Sequence, residues 1–278
     1  MTSAPGSAWD DRFATRSPMF EPYRPVAARW HGYPAFPTRD AMAAALSAAG
    51  PVANASGRVL VAGSVPEDGG ALAYERSVWA EGVLGLRAQD WHDLMNLLVW
   101  CVFPTTKARL NAGHVAEGAG IAGAGEAGTA SAPLRNARRD ALTLFDENGL
   151  LVASADPSLV ELLRGFRWRE LFVGRRADVR RSLRFLVFGH GLLDKARSPF
   201  IGLTAHAWVL DAPEALLGQP APAIAAALDS ELALAIDGLA SPRDLAPLPV
   251  LGIPGWWPAN DAPAFYDDAR YFRPGRRT

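Results

Sequence analysis

The chain has one cysteine, two lysines, almost no net charge and no long apolar run, and each shortage excludes something. A lone cysteine, Cys101, rules out an internal disulfide framework and any zinc ribbon built on paired cysteines. With 28 basic against 29 acidic side chains the formal net charge is −1, which argues against a protein that coats nucleic acid or an anionic membrane. The longest uninterrupted apolar run, residues 97–103, falls far short of the ~20 residues that cross a bilayer. The first twenty residues lack the basic stretch and apolar core of a secretion signal, so the expected location is cytoplasmic. Lysine is confined to Lys107 and Lys195; this bias toward arginine, with abundant alanine, reflects genome composition more than function.

What is present is ordinary globular material. Of 278 residues, 49% are hydrophobic and 21% charged, close to the averages of soluble domains. Residues 1–17 are rich in Ala, Ser, Pro and Gly and are expected to be flexible, with 18–278 forming a single domain. Pro18, Pro22, Pro25, Pro34 and Pro37 exclude a regular helix or central strand there and suggest an extended segment over the body. Asp40 precedes an alanine-rich helix that Gly50-Pro51 stops, and 74–85 reads as a further helix or strand. Asp90 is a helix N-cap before WHDLMNLLVWCVF, which is apolar on all sides from Leu97 and therefore buried. Pro104 restarts a second helical piece that reaches His114, after which 115–133 reads as a flexible Gly/Ala loop.

Further on, ALTLF and LLVAS flank Asp146-Glu147-Asn148-Gly149, and Asn-Gly between apolar runs predicts a β-hairpin near 141–153. Helices are expected at 156–165, 178–188 and 221–239, and a strand at 201–210. Helices and short strands without regular βαβ alternation give the fold class: α+β, mainly helical, with a small sheet that includes the hairpin.

Several polar constellations interrupt this pattern. His92, Asp93 and Asn96 form a notch at the start of the apolar helix, either a site wall or a first turn in solvent. Lys107, Asn111 and His114 share one helical stripe, which is either functional or a solvated face. Arg139-Asp140 leads into the expected hairpin. His190 continues the apolar stripe Val179, Leu183, Val187, with Asp194 and Lys195 following; an imidazole there is a metal ligand, a general base, or a satisfied core histidine. Period-two alternation puts Thr204, His206 and Trp208 on one strand face. His31, in the proline-rich stretch, is a weak candidate.

The usual catalytic signatures are missing: no H-E-x-x-H, no G-x-S-x-G and no G-x-x-x-x-G-K. LTLFDENG is similar to the first motif of haloacid-dehalogenase-like phosphatases, but Asn148 replaces the second aspartate and a hairpin turn explains the segment. Cys101, within an apolar helix, reads as a buried inert thiol. Arg175, Arg176, Arg180, Arg181 and Arg184 form the densest basic face, solvated or phosphate-binding.

Taken together, WHDLMNLLVWCVFPTTKARLNAGH, RRDALTLFDENG, FRWRELFVGRR, FGHGLLDKARSPFIGLTAHAW and PLPVLGIPGWWPAN resemble the bacterial family called domain of unknown function 3025, over roughly residues 20–274. The resemblance implies one shared domain and no particular reaction. It also implies a set of characteristic polar positions: His92, Asp93, Lys107, Asn111, His114, Arg139, Asp140, His190, Lys195, Thr204 and His206, with Trp256, Asn260 and Asp267.

The resulting expectation is a metal-dependent hydrolase of phosphate or other esters. Its divalent ion (zinc, iron or manganese) is expected on His92, His114, Asp140, His190 and His206. Asp93, Lys107, Arg139 and Lys195 are the expected catalytic groups, and Asn111, Thr204, Trp256 and Asn260 the expected substrate contacts. A small-molecule substrate or ligand is the expected partner, with no membrane or nucleic acid. Two alternatives are a metal-free small-anion or peptide binding protein, and a nucleic-acid or protein interaction module using the Arg175–Arg184 face.

Overall fold

Prolines shape the first part of the computed structural model, which describes residues 8–64, 70–124 (side chains to 118) and 137–275. They break residues 18–30 into 3-10 turns around a single α turn, α1 (Arg24–Ala27). Helix α2 (Arg39–Ala48) begins two residues before Asp40 suggests, because the Thr38 hydroxyl accepts from the Ala41 N–H at 3.2 Å. Strand β1 (Val61–Gly63), helix α3 (Gly70–Glu81) and strand β2 (Val83–Gly85) follow, with β1 and β2 paired in parallel.

Helix α4 (Trp91–Val102) starts where Asp90 accepts from the Asp93 N–H at 3.0 Å, as its sequence indicates. Helix α5 (Pro104–Ala124) continues ten residues into the expected Gly/Ala loop; the rest of 115–133 lies outside the described residues, save for that helical part. Its small residues let it approach α3 closely, a methyl group at Gly118 standing 2.4 Å from Leu72 Cδ1. After α6 (Ala137–Asn148) come β3 (Gly149–Ser154), α7 (Pro157–Arg164), α8 (Arg176–Ser182), β4 (Leu183–Val187), α9 (His190–Lys195), β5 (Thr204–Asp211), α10 (Glu214–Leu217), α11 (Ala221–Asp237) and β6 (Ala246–Pro249).

The main sheet has strand order β4-β3-β5-β6. Strand β3 is buried along its whole length, antiparallel to β4 and parallel to β5, while β6 is antiparallel to β5. Its apolar run without alternation is what burial on both faces demands. Phe145 of α6 stacks on Phe188 at 4.9 Å, joining helix and sheet in a core that also holds Tyr23, Trp30, Trp100 and Phe103. The fold is thus a mainly helical α+β single domain, in agreement with the sequence. Among the described residues no helix is long and apolar enough to cross a membrane.

Three local expectations need correction. The hairpin near 141–153 is a helix running into a strand: Ala141, Leu142, Phe145 and Asp146 are buried at helical spacing. Asn148-Gly149 therefore marks a helix end, and Gly149 is required by space, because a methyl group there would stand 2.3 Å from the Phe145 carbonyl oxygen. The segment 178–188 is not one helix either; it turns to strand at Leu183, where edge pairing with β3 outweighs the helical stripe. Finally, residues 8–17 lie against the body, with Trp9 stacked on Trp91 at 5.2 Å and Phe13 and Ala14 buried.

The close approach at the α6–β3 junction gives a stability prediction. Gly149→Ala is expected to destabilise the protein by about 1–3 kcal/mol through overpacking, read as a lower urea midpoint; an unchanged midpoint would contradict the junction described.

Candidate functional site

The register of β3 against β4 creates the site. Leu150 pairs with Val187, and the N–H groups of Phe188 and Gly189 both donate to the Gly149 carbonyl, at 3.0 and 2.9 Å. The C-terminus of α6 and the N-terminus of α9 are thereby held side by side. Glycine permits the contact: a methyl group at Gly191 would stand 2.2 Å from Glu147 Oε2, and one at Gly189 would stand 2.4 Å from the Gly149 nitrogen. His190, between them, is buried and projects toward α4 and α6.

A cavity of about 370 Å³ opens there, bounded by α3, α4, α5, α6 and α9. On α6, Arg139, Thr143, Asp146 and Glu147 recur at helical spacing and all line it. His190 Nε2 lies 3.0 Å from His92 Nε2 and 3.5 Å from Glu147 Oε1, which is 3.8 Å from His92 Nε2. A second group, Glu75, His114 and Asp146, brings its donor atoms within 4.8 Å of one another.

Asp146 is the deepest charge. Lys107 Nζ donates to its Oδ1 at 2.6 Å, and His190 Nδ1, which has no hydrogen-bond partner among the described residues, faces the same oxygen at 3.7 Å. Burial alone would raise the Asp146 pKa; Lys107, His190 and His114 outweigh it and hold the carboxyl far below the usual range. Burial likewise opposes the His190 imidazolium, but Asp146 and Glu147 overcome it and lift its pKa to about 9. Contact with His190 lowers the Glu147 pKa, whereas burial raises that of Glu75.

Around this centre the polar groups are held in place. Asn111 donates to Glu75 through its backbone carbonyl at 2.8 Å and its Oε2 at 2.7 Å. Asn96 donates to the Tyr74 hydroxyl at 2.6 Å. Asp93, expected to be catalytic, instead accepts the Arg87 backbone N–H and guanidinium at 2.7–2.9 Å, fixing the loop before α4.

The structure thus brings together His92, His114, His190, Asp93 and Arg139 around one cavity, with Lys107 and Asn111 buttressing it from behind. The other candidates lie elsewhere. Asp140 is exposed and outside the cavity, since one residue along a helix from Arg139 points away from it. Lys195 donates to the Asn148 amide oxygen at 2.9 Å. His206, whose pKa is lowered by burial and then by Lys195, sits on β5 away from the cavity, and Thr204 borders a separate hollow of about 670 Å³. Trp256 packs on Phe185, and buried Asn260 caps the Leu251 and Ile253 carbonyls, so both organise the C-terminal segment. Asp267 pairs with Arg169, and His31 does not line the cavity. The basic face is largely matched: Arg175 with Asp156 and Asp178, Arg176 with Asp261, Arg181 with Asp178 and Glu214.

Glu75, Asp146 and Glu147 are the site residues that sequence reasoning passes over. The Asn148-Gly149 turn signal masks Asp146 and Glu147, although Arg139, Thr143 and Asp146 keep helical spacing in the sequence. Glu75 carries no local signal, because only the packing of α3 on α5 gives it a role.

The profile of the family described as "Protein of unknown function (DUF3025)" matches residues 61–276, most of the chain, and the chain belongs to that family. No curated protein and no solved structure matches it.

Two predictions follow from the buried charges. Lys107→Met leaves Asp146 buried without its ammonium and is expected to cost about 3–5 kcal/mol. Lys107→Met with Asp146→Leu is expected to recover most of that loss; equal destabilisation of the single and double variants by denaturant titration would contradict the pairing. For the metal-free protein, a raised His190 pKa stabilises the fold fully below the unfolded value near 6.5 and loses that contribution as pH climbs through about 9. Chelator-treated protein should therefore melt lower at pH 9.5 than at pH 6.5, and His190→Gln should flatten that slope. A slope unchanged by the substitution would contradict the assignment.

Proposed function

We propose that this member of the DUF3025 family is a metal-dependent hydrolase of phosphate or other esters, with a divalent ion held by His92, His190 and Glu147. The observation that carries the reading is the spacing of three donors. Ligands of a tetrahedral zinc at ~2.0–2.1 Å stand about 3.3 Å apart, and the three separations here are 3.0, 3.5 and 3.8 Å. Two histidines and one carboxylate leave coordination positions open toward the cavity, which is the arrangement of catalytic rather than structural zinc sites.

Charge supports the same reading. With neutral imidazoles, the carboxylates of Glu75, Asp146 and Glu147 outnumber Lys107 and the rim guanidinium of Arg139. Such a cavity favours a cation. In the absence of an ion the His190 imidazolium serves as the compensating cation, and an ion binding to Nε2 displaces its proton. Asp146 behind Nδ1 is placed to orient the ring, the role a carboxylate plays behind many ligating histidines. Lys107 keeps Asp146 ionised instead of meeting substrate, because it is buried and pinned to that carboxylate.

When bound, the ion would supply an activated water and a Lewis acid for the scissile group. Arg139, at the cavity wall, is positioned to meet negative charge that develops on substrate. His92 is half exposed at the mouth, so the open positions face the route by which substrate and water enter.

The test is elemental analysis of the purified full chain by inductively coupled plasma mass spectrometry, beside hydrolysis of p-nitrophenyl esters. His92→Gln, a substitution at a half-exposed position, is expected to lose one equivalent of zinc, iron or manganese with little change in melting temperature. Ester hydrolysis should fall at least about 100-fold, the loss of roughly 3 kcal/mol of transition-state stabilisation. Metal content unaffected by both His92→Gln and His190→Gln would overturn the reading. Retained iron with oxygen consumption and no hydrolysis would reassign the same ligand set to oxygen chemistry.

A further inference from the structure

We infer that the cavity is a two-ion centre, the second divalent cation lying on Glu75, His114 and Asp146, and that its substrate is a phosphate ester. The inference rests on the reading that His92, His190 and Glu147 hold the first ion. The second donor set comes from three helices, α3, α5 and α6, and its atoms lie within 4.8 Å of one another on the wall of the same cavity.

An independent observation marks this as a place for a ligand. Asn96 lines this cavity and is 7% exposed, and Asn111, beside Glu75, is 2% exposed, yet among the described residues the side-chain oxygen of each has no hydrogen-bond partner. A buried amide oxygen ordinarily accepts at least one hydrogen bond, and a cation is an alternative partner for it. Here the His114 ring faces two carboxylates across the cavity, one of them, Glu75, fixed by Asn111 at 2.7 Å.

The two donor sets are built to act together. Asp146 and Glu147 are consecutive on the last turn of α6, and each serves a different set. The His190 ring stands between them, with Nε2 toward His92 and Glu147 and Nδ1 toward Asp146. Neighbouring ions in such a frame clamp the attacking and leaving oxygens of an in-line displacement at phosphorus.

The substrate class follows from charge. One divalent ion brings the cavity close to neutral against Glu75, Asp146 and Glu147, counting Lys107 and Arg139. Two make it distinctly positive, suited to a phosphate dianion and not to a neutral carboxylic ester. In the reaction a water oxygen bonds to phosphorus as the bond from phosphorus to the leaving oxygen breaks. One water proton passes to that leaving oxygen, giving an alcohol and inorganic phosphate.

The experiment uses the full chain, stripped with chelator and titrated with Zn²⁺ or Mn²⁺, with bound metal counted after equilibrium dialysis. Wild type is expected to bind two ions per chain. His92→Gln, His114→Gln and, as a second variant at the new set, Glu75→Gln should each bind one, with wild-type circular dichroism. One ion per chain that His92→Gln loses while His114→Gln and Glu75→Gln keep it would overturn the second ion and leave the first reading standing. No bound ion would overturn both. Hydrolysis of p-nitrophenyl phosphate should fall at least 100-fold in His114→Gln. Hydrolysis of p-nitrophenyl acetate in preference to the phosphate would overturn the substrate class.

Discussion

The ion pair between Lys107 and Asp146 is the constraint on which the rest of the site depends. Both side chains are almost wholly buried, and neither charge is tolerable there alone. Joined at 2.6 Å they tie α5 to the C-terminal turn of α6, and the same carboxylate confronts His190 at the start of α9. Moving Asp146 would move Glu147 beside it, and with Glu147 the donor set around His92 and His190. The pair therefore places the cavity walls and fixes Asp146 in the second donor set.

The sheet supplies the other half of the geometry. Strand β3 leaves α6 immediately, and β4 delivers the chain to α9 after only two residues. Antiparallel pairing of these strands puts the beginning of one beside the end of the other, so two helix ends meet at one edge of the sheet. Gly149, Gly189 and Gly191 make that meeting sterically possible, each at a point where a methyl group would strike backbone or a site carboxylate. A rigid, fully buried strand thus sets the positions of these side chains far more firmly than a loop would.

Much of the fold is legible in the sequence because its signals are local. The Asp90 cap, the all-round apolar α4 and the long α11 follow from spacing and capping alone. The stripe Lys107, Asn111, His114 is equally local, although the sequence does not say that it faces inward toward two carboxylates. Failures arise where a local signal meets a tertiary one. Asn148-Gly149 satisfies the rule for a hairpin turn, but the glycine is there for a helix end pressed against a strand. His190 is singled out as the end of a helical stripe, yet that helix stops at Ser182 and the histidine opens the next one after a strand. Asp140 and His206 have the residue types of ligands and the wrong faces, a distinction that only packing draws. The similarity to the first haloacid-dehalogenase-like motif fails for a reason other than a turn, since LTLFDEN is helical here.

The proposed metal ion between His92, His190 and Glu147 is tested most directly by anomalous diffraction from crystals soaked in Zn²⁺. A peak is expected at the zinc edge within about 2.0–2.2 Å of both Nε2 atoms and a Glu147 oxygen. A well-ordered cavity without any anomalous peak, at a zinc concentration that labels surface histidines elsewhere in the crystal, would contradict it.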